Sequence, residues 1–161
     1  MSEPAAETFG FRRLTMTATV PTRAHPKDAG LDLCADLYKR DGAERVAGGI
    51  LCLTVPPGQR RRIPTGLAIT PPEGTFAHLL DKSGLADRYG ITILGGVCDE
   101  GYTGEYQVIV LNTGNEPWHV IHGVKLCQIV FQRISYAVGE ERELPQTARG
   151  AKGFGSTGAM G

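Results

Sequence analysis

GGVCDEGYTGEYQVIVLN, residues 95–112, holds a turn and a strand in one stretch. EYQVIVLN, from Glu105 to Asn112, is rich in Val, Ile, Leu and Tyr and reads as a short strand. Before it, glycines at 95, 96, 101 and 104 break the chain, as a tight corner requires. Asp99 and Tyr102 stand on either side of Glu100-Gly101. One reading is a hairpin turn in which the aspartate supports the backbone and the tyrosine packs at the edge. The other is a carboxylate general base beside an aromatic platform, where the base has only to polarise a water.

The same strand grammar runs through the chain. RLTMTATV, LDLCADL, GILCLTV, GLAIT, FAHLLD, ITILGGV and VKLCQIVFQRI are short β-type runs separated by Pro and Gly. Many short strands at fairly even spacing predict an all-β sandwich or barrel. A single short helix is expected over residues 83–89, with Ser83 as N-cap and Gly90 as its stop. Residues 1–10 are small and polar and are expected to be disordered, and residues 11–135 form the β domain. Residues 136–161 form a polar, glycine-rich C-terminal arm that is flexible unless something holds it.

The chain has 161 residues, enough for one domain with its own core. Its 17 Lys and Arg balance 17 Asp and Glu, which argues against a general binder of nucleic acid or membrane surface. The run Arg60-Arg61-Arg62 reads as the start of a strand with solvated side chains. Cys34, Cys52, Cys98 and Cys127 are too far apart for a C-x-x-C motif and read as small buried thiols in a reducing compartment. The N-terminus lacks a secretory pattern, and no apolar run approaches the roughly 20 residues of a membrane span. An intracellular, cytoplasmic protein is expected, with a nuclear location left open.

Further stretches carry chemistry. Lys82, Ser83 and Gly84 open the short helix, where unpaired N–H groups suit a phosphate, although simple capping explains Ser83 as well. Asp32 lies inside an apolar run and needs partners. His119 and His122 make an H-x-x-H with no further ligands nearby and read as loop histidines. GFGSTG, residues 153–158, fits a dinucleotide-binding template but has too little chain after it for the helix that template requires.

Taken together, five segments resemble the motifs of the trimeric dUTPase family. They are DAGLDLCA (28–35), DKSGLA (81–86), GGVCDEGYTGEY (95–106), GVKLCQIVF (123–131) and RGAKGFGSTG (149–158). The resemblance implies a jelly-roll or distorted β-barrel fold and a homotrimer with active sites shared between subunits. It implies hydrolysis of dUTP to dUMP and pyrophosphate, which limits uracil in DNA and supplies dUMP, with Mg²⁺ held by the triphosphate. It matches Asp99 to the carboxylate that activates water against the α-phosphorus, and Tyr102 to the ring under the deoxyribose. The backbone of Gly96, Val97 and Cys98 would read the uracil, and Gln107 joins the substrate-binding set. Lys82, Ser83, Gly84 and Gln128 would contact phosphates, with Asp32 acting on Mg²⁺ through water or fixing a basic partner. Arg149 would meet the γ-phosphate, Phe154 would stack on uracil, and Gly155, Ser156 and Thr157 would wrap the terminal phosphate.

Three positions depart from the family pattern: Lys82 stands where arginine is usual, Lys152 where glycine is usual, and Ile93 where some members carry an asparagine. Arginine's planar fork is lost at the first. The dCTP deaminases, relatives in fold, carry a glutamate where Ile109 stands, and isoleucine cannot move a proton. A non-catalytic interaction module is the other alternative, against which Asp99, Tyr102, Gln128, Arg149 and Phe154 all stand.

Overall fold

The computed structural model describes residues 7–38 and 42–151. In chain order its strands are β1 (Gly10–Arg13), β2 (Leu31–Cys34), β3 (Glu44–Arg45), β4 (Leu51–Val55), β5 (Arg60–Thr70) and β6 (Thr75–Leu80). The helix α1 (Ser83–Tyr89) follows, then β7 (Ile91–Leu94), β8 (Val97–Cys98), β9 (Glu105–Asn112), β10 (Trp118–Ile121) and β11 (Lys125–Arg133). They form three sheets, ordered β1-β5-β9-β7, β10-β4-β3 and β2-β11-β6-β8, and every pairing is antiparallel. The fold is all-β with one short α-helix, as the strand pattern predicts, and jelly-roll-like, as the family resemblance implies.

Burial explains the architecture. In β9 every second residue, from Tyr106 through Val108 and Val110 to Asn112, is buried. Tyr106, Val108 and Val110 join Leu33, Ala77, Leu79, Cys127 and Ile129 in one core. Two facing sheets each hide one face, so alternation on both is the stable solution. The run Arg60-Arg61-Arg62 opens β5 with exposed side chains, as read from the sequence. Pro64 also lies in β5, which a proline normally avoids. It is tolerated because β1 pairs only with Leu67 to Thr70, leaving the other side of Pro64 off the ladder. A register shift follows between Pro64 and Ala68, and Gly66 inside it takes φ +68°.

The structure corrects several expectations. RLTMTATV is not a strand: β1 ends at Arg13, and the threonines that follow serve a buried carboxylate instead. Thr15 and Thr17 both donate to Asp36, the latter at 2.9 Å, and Tyr38 adds its N–H at 3.1 Å. A fully buried aspartate must collect donors, and that demand outweighs β propensity. Ser83 is the first helical residue and not the N-cap; Lys82 holds that place with extended backbone and no side-chain cap bond. Gly90 does stop the helix, in the left-handed conformation at φ 65°. His119 lies on β10, not in a loop, with Nδ1 3.1 Å from the Thr54 hydroxyl. His122 is in a turn, where its Nδ1 accepts the Leu37 N–H at 3.1 Å. The four cysteines are free thiols, three buried and Cys98 partly so.

Candidate functional site

The segment 95–106 is not a hairpin: β8 pairs with β6 and β9 with β5 and β7, and glycines and a tight turn carry the chain from one sheet to the other. Gly95 takes φ +63°, and a Cβ on Gly96 would lie 2.4 Å from the Leu79 carbonyl oxygen. That close approach lets the Leu79 N–H donate to the Gly96 carbonyl at 2.7 Å, fastening the corner to β6. Val97 and Cys98 then pair with His78 and Ala77. Asp99 accepts the Tyr102 N–H on its main-chain oxygen at 3.1 Å, which closes the turn. Its carboxylate is exposed, and no described residue forms an ion pair with it. Burial first, and the Asp99 charge next, push the Cys98 thiol up to about 11, so it stays protonated and is no nucleophile.

Tyr102 is half exposed beside this turn, and its hydroxyl donates to the Glu105 carbonyl at 3.0 Å. Glu100, between Asp99 and Tyr102, ties the turn to the rest of the chain. It accepts the Gly74 N–H at 3.2 Å and the Tyr136 hydroxyl at 2.5 Å. The C-terminal arm therefore leaves the domain from beside the Asp99 turn. A shallow cavity of about 440 Å³ adjoins the corner, lined by His78, Asp81, Thr92 and Gly96 among others. A wider cleft of about 680 Å³, between β4 and the start of β5, contains none of the predicted residues.

A second cluster forms around Asp32. Its side chain is buried on β2, with Lys82 on one oxygen and Lys125 on the other, the latter at 2.7 Å. Burial opposes the charge of Asp32, but the hydrogen bonds and charges of Lys125 and Lys82 outweigh it and hold the carboxyl below its ordinary value. Gln128 pairs with Asp32 in the ladder, and a Cβ on Gly30 would come within 2.9 Å of the Gln128 side chain. The glycine of DAGLDLCA therefore makes room for the glutamine. Ser83 and Gly84 start the helix beside Lys82.

The two clusters do not meet. Asp32 lies on one edge strand of the sheet β2-β11-β6-β8, and Val97 and Cys98 lie on the other. Three strand spacings separate the edges, about 14 Å. The register adds a further offset: Gln128 pairs with Leu80, whereas Cys98 pairs with Ala77, about 10 Å along β6. One chain thus presents two half-sites on opposite edges of one sheet.

Gln107 joins neither cluster directly; its amide donates to Glu105 Oε2 at 2.7 Å, and Glu105 Oε1 accepts the Gly66 N–H at 2.8 Å. Arg149 lies in a turn closed by the Gly150 N–H on the Thr147 carbonyl at 3.0 Å. Phe154, Gly155, Ser156 and Thr157 fall outside the described residues. Two contributors were missed in the sequence. Lys125 stands in GVKLCQIVF, and only tertiary contact shows that it reaches Asp32. Tyr106 carried a signal, since the alternation of β9 turns it inward four residues after Tyr102. Among the described residues no three metal-ligating side chains gather, and no helix is long and apolar enough to cross a membrane.

Comparison with known proteins fits this geometry. The sequence profile of the dUTPase family matches residues 50–158. The deoxyuridine 5'-triphosphate nucleotidohydrolase of Methylocella silvestris is 40% identical, over 99% of this chain and 95% of that protein. That of Leifsonia xyli is 41% identical, over 86% of this chain and 85% of that protein. A mutant dUTPase of Staphylococcus bacteriophage 80alpha, solved with dUpNHpp, shares the fold at a TM-score of 0.80 and 21% identity, covering 96% of this chain and all of that one. The native EIAV dUTPase gives a TM-score of 0.67 at 27% identity, over 87% of this chain and 100% of that chain. With both half-sites lying on segments of that shared fold, the chain belongs to the dUTPase family.

Proposed function

We infer that the protein is a dUTP diphosphatase: it hydrolyses dUTP to dUMP and pyrophosphate, removing dUTP that would place uracil in DNA. The observation that carries this reading is the pair of half-sites, each on a segment that fits the family, on opposite edges of one sheet. A nucleoside triphosphate needs a base end and a phosphate end, and one copy offers them on opposite edges of a sheet. A homotrimer brings the Asp99 turn of one subunit beside the Asp32 cluster of another.

Each role follows from elementary chemistry. Asp99 is an exposed carboxylate, open to water, and takes the proton as that water attacks the α-phosphorus. Tyr102 offers its ring as the floor under the deoxyribose, where a 2′-hydroxyl would clash. The main chain of Gly96, Val97 and Cys98 presents peptide groups to the uracil edge. Gln107 contributes at the start of β9, held in place by Glu105. Lys82, the N–H groups of Ser83 and Gly84, and Gln128 meet the phosphates. There they stabilise charge spread over oxygens, which is most of the work in phosphoryl transfer.

Mg²⁺ bound by the triphosphate enters with the substrate and supplies Lewis acidity there. Asp32 fits an indirect role toward it, because Lys82 and Lys125 occupy its two oxygens. Arg149 meets the γ-phosphate, Phe154 covers the uracil, and Gly155, Ser156 and Thr157 close over the last phosphate. The segment 136–161 acts as a lid.

The test is pyrophosphate release from dUTP, dCTP, dTTP and UTP in parallel, on the native protein and on Asp99→Asn. Turnover of dUTP alone is expected, with Asp99→Asn losing about 100-fold or more of kcat while still binding nucleotide. Equal turnover of all four, or of none, overturns the assignment. A near-native rate for Asp99→Asn places the base elsewhere.

A further inference from the structure

The ring of Tyr102 is gripped from three sides. Beneath it lies Tyr106, with ring centroids 6.0 Å apart and planes inclined at 29°. At its tip, the hydroxyl donates to the carbonyl of Glu105, the residue before Tyr106. Along its edge is Gly104, where a Cβ would lie 2.5 Å from the Tyr102 hydroxyl oxygen and 2.9 Å from Cε2. Tyr106 is itself immobile: 1% exposed, part of the core, with its carbonyl accepting the buried Thr65 hydroxyl at 2.6 Å.

The hydroxyl of Tyr106 is buried and has no partner among the described residues. Burial, then the neighbouring Cys98, Tyr102 and Asp99, push its phenol well above the ordinary range, so it stays neutral. A buried hydroxyl without a partner does nothing for the core that phenylalanine would not do better. The contact that Tyr106 makes with Tyr102 is through its ring.

We propose that Tyr106 is a positioning residue that sets the height and tilt of the Tyr102 ring, and through it the discrimination between deoxyribose and ribose. This rests on the reading of dUTP as substrate. A floor resting on a rigid core residue cannot sink to admit an extra hydroxyl. A floor on a loop alone would yield, and the clash that rejects ribonucleotides would relax.

The experiment measures kcat and KM for dUTP and UTP on the native enzyme, Tyr106→Phe, Tyr106→Leu and Gly104→Ala. Tyr106→Phe keeps the ring and is expected to hold the dUTP:UTP preference within about twofold. Tyr106→Leu is expected to lower that preference about tenfold, mainly through KM, with kcat for dUTP within about threefold. Gly104→Ala displaces the Tyr102 ring from its edge and is expected to lower the preference in the same way.

A folded Tyr106→Leu with native preference overturns the proposal, as does a Tyr106→Phe as poor as the leucine variant. If Tyr106→Leu fails to fold, an unchanged preference in Gly104→Ala overturns it. If the native protein does not turn over dUTP, the substrate assignment has failed on its own. The contact is then read by NMR from the Tyr102 ring resonances in Tyr106→Leu, where unshifted signals overturn the positioning role.

Discussion

Asp32 illustrates how a single residue is decided by its surroundings. In the sequence it is a carboxylate in an apolar run; in the fold it is the anchor for two lysines, Lys82 just ahead of α1 and Lys125 at the start of β11. Lysine offers a point charge where arginine offers a fork, so two ammonium groups can divide one carboxylate between its oxygens. The pairing makes a prediction about pH. A carboxyl held below its ordinary value of 3.8 contributes stability at pH values above that, and loses it as the pH falls through the depressed value. Asp32→Asn is therefore expected to cost about 1–2 kcal/mol at neutral pH, less than a fully buried pair because Lys125 is half exposed. The gap should narrow as the pH drops below 3.8. Urea midpoints of both proteins between neutral and acid pH measure it, and a gap that does not change with pH contradicts the ion-pair account.

At the scale of elements, the interruption inside β5 is the informative feature. Gly66 combines positive φ with crowding: a Cβ there would lie 2.3 Å from Asp36 Oδ2 and 2.5 Å from the Thr15 hydroxyl. The same residue donates its N–H to Glu105, the first residue of β9. One glycine thus lets the buried Asp36 cluster, the bulge and the start of β9 share a small volume. Gly66→Ala is expected to destabilise the protein by about 2–4 kcal/mol, from backbone strain and the clash together. Chemical denaturation of the variant reads this directly; a near-neutral result means that the bulge relaxes freely. IPTGLAI reads as a strand in sequence, and its Pro and Gly suggest a break. Which residue the break accommodates is a tertiary fact, because Asp36 lies 30 positions earlier.

For the whole molecule the arm and the assembly matter most. β11 ends at Arg133, and the Ile134 N–H still donates to the Gly74 carbonyl. Beyond it, the Tyr136 hydroxyl donates to Glu100 at 2.5 Å, which holds the start of the arm against the domain. On the proposal that this segment is a lid, removing residues 149–161 is expected to leave the melting temperature unchanged and to lower dUTP turnover by about 100-fold or more. An unfolded truncation would make the tail structural instead. The sequence by itself determined the all-β class, the helix and its glycine stop, the Asp99 turn and the family, because β-type composition, Gly and Pro punctuation and motif order are local properties. It did not reveal the loss of the RLTMTATV strand, the place of Lys125, or the support of Tyr102 by Tyr106. Nor did it show that Asp32 and Asp99 lie on opposite edges of one sheet. Those facts depend on strand order and register, which bring together residues far apart in the chain and separate others, and only the packed sheets fix that order.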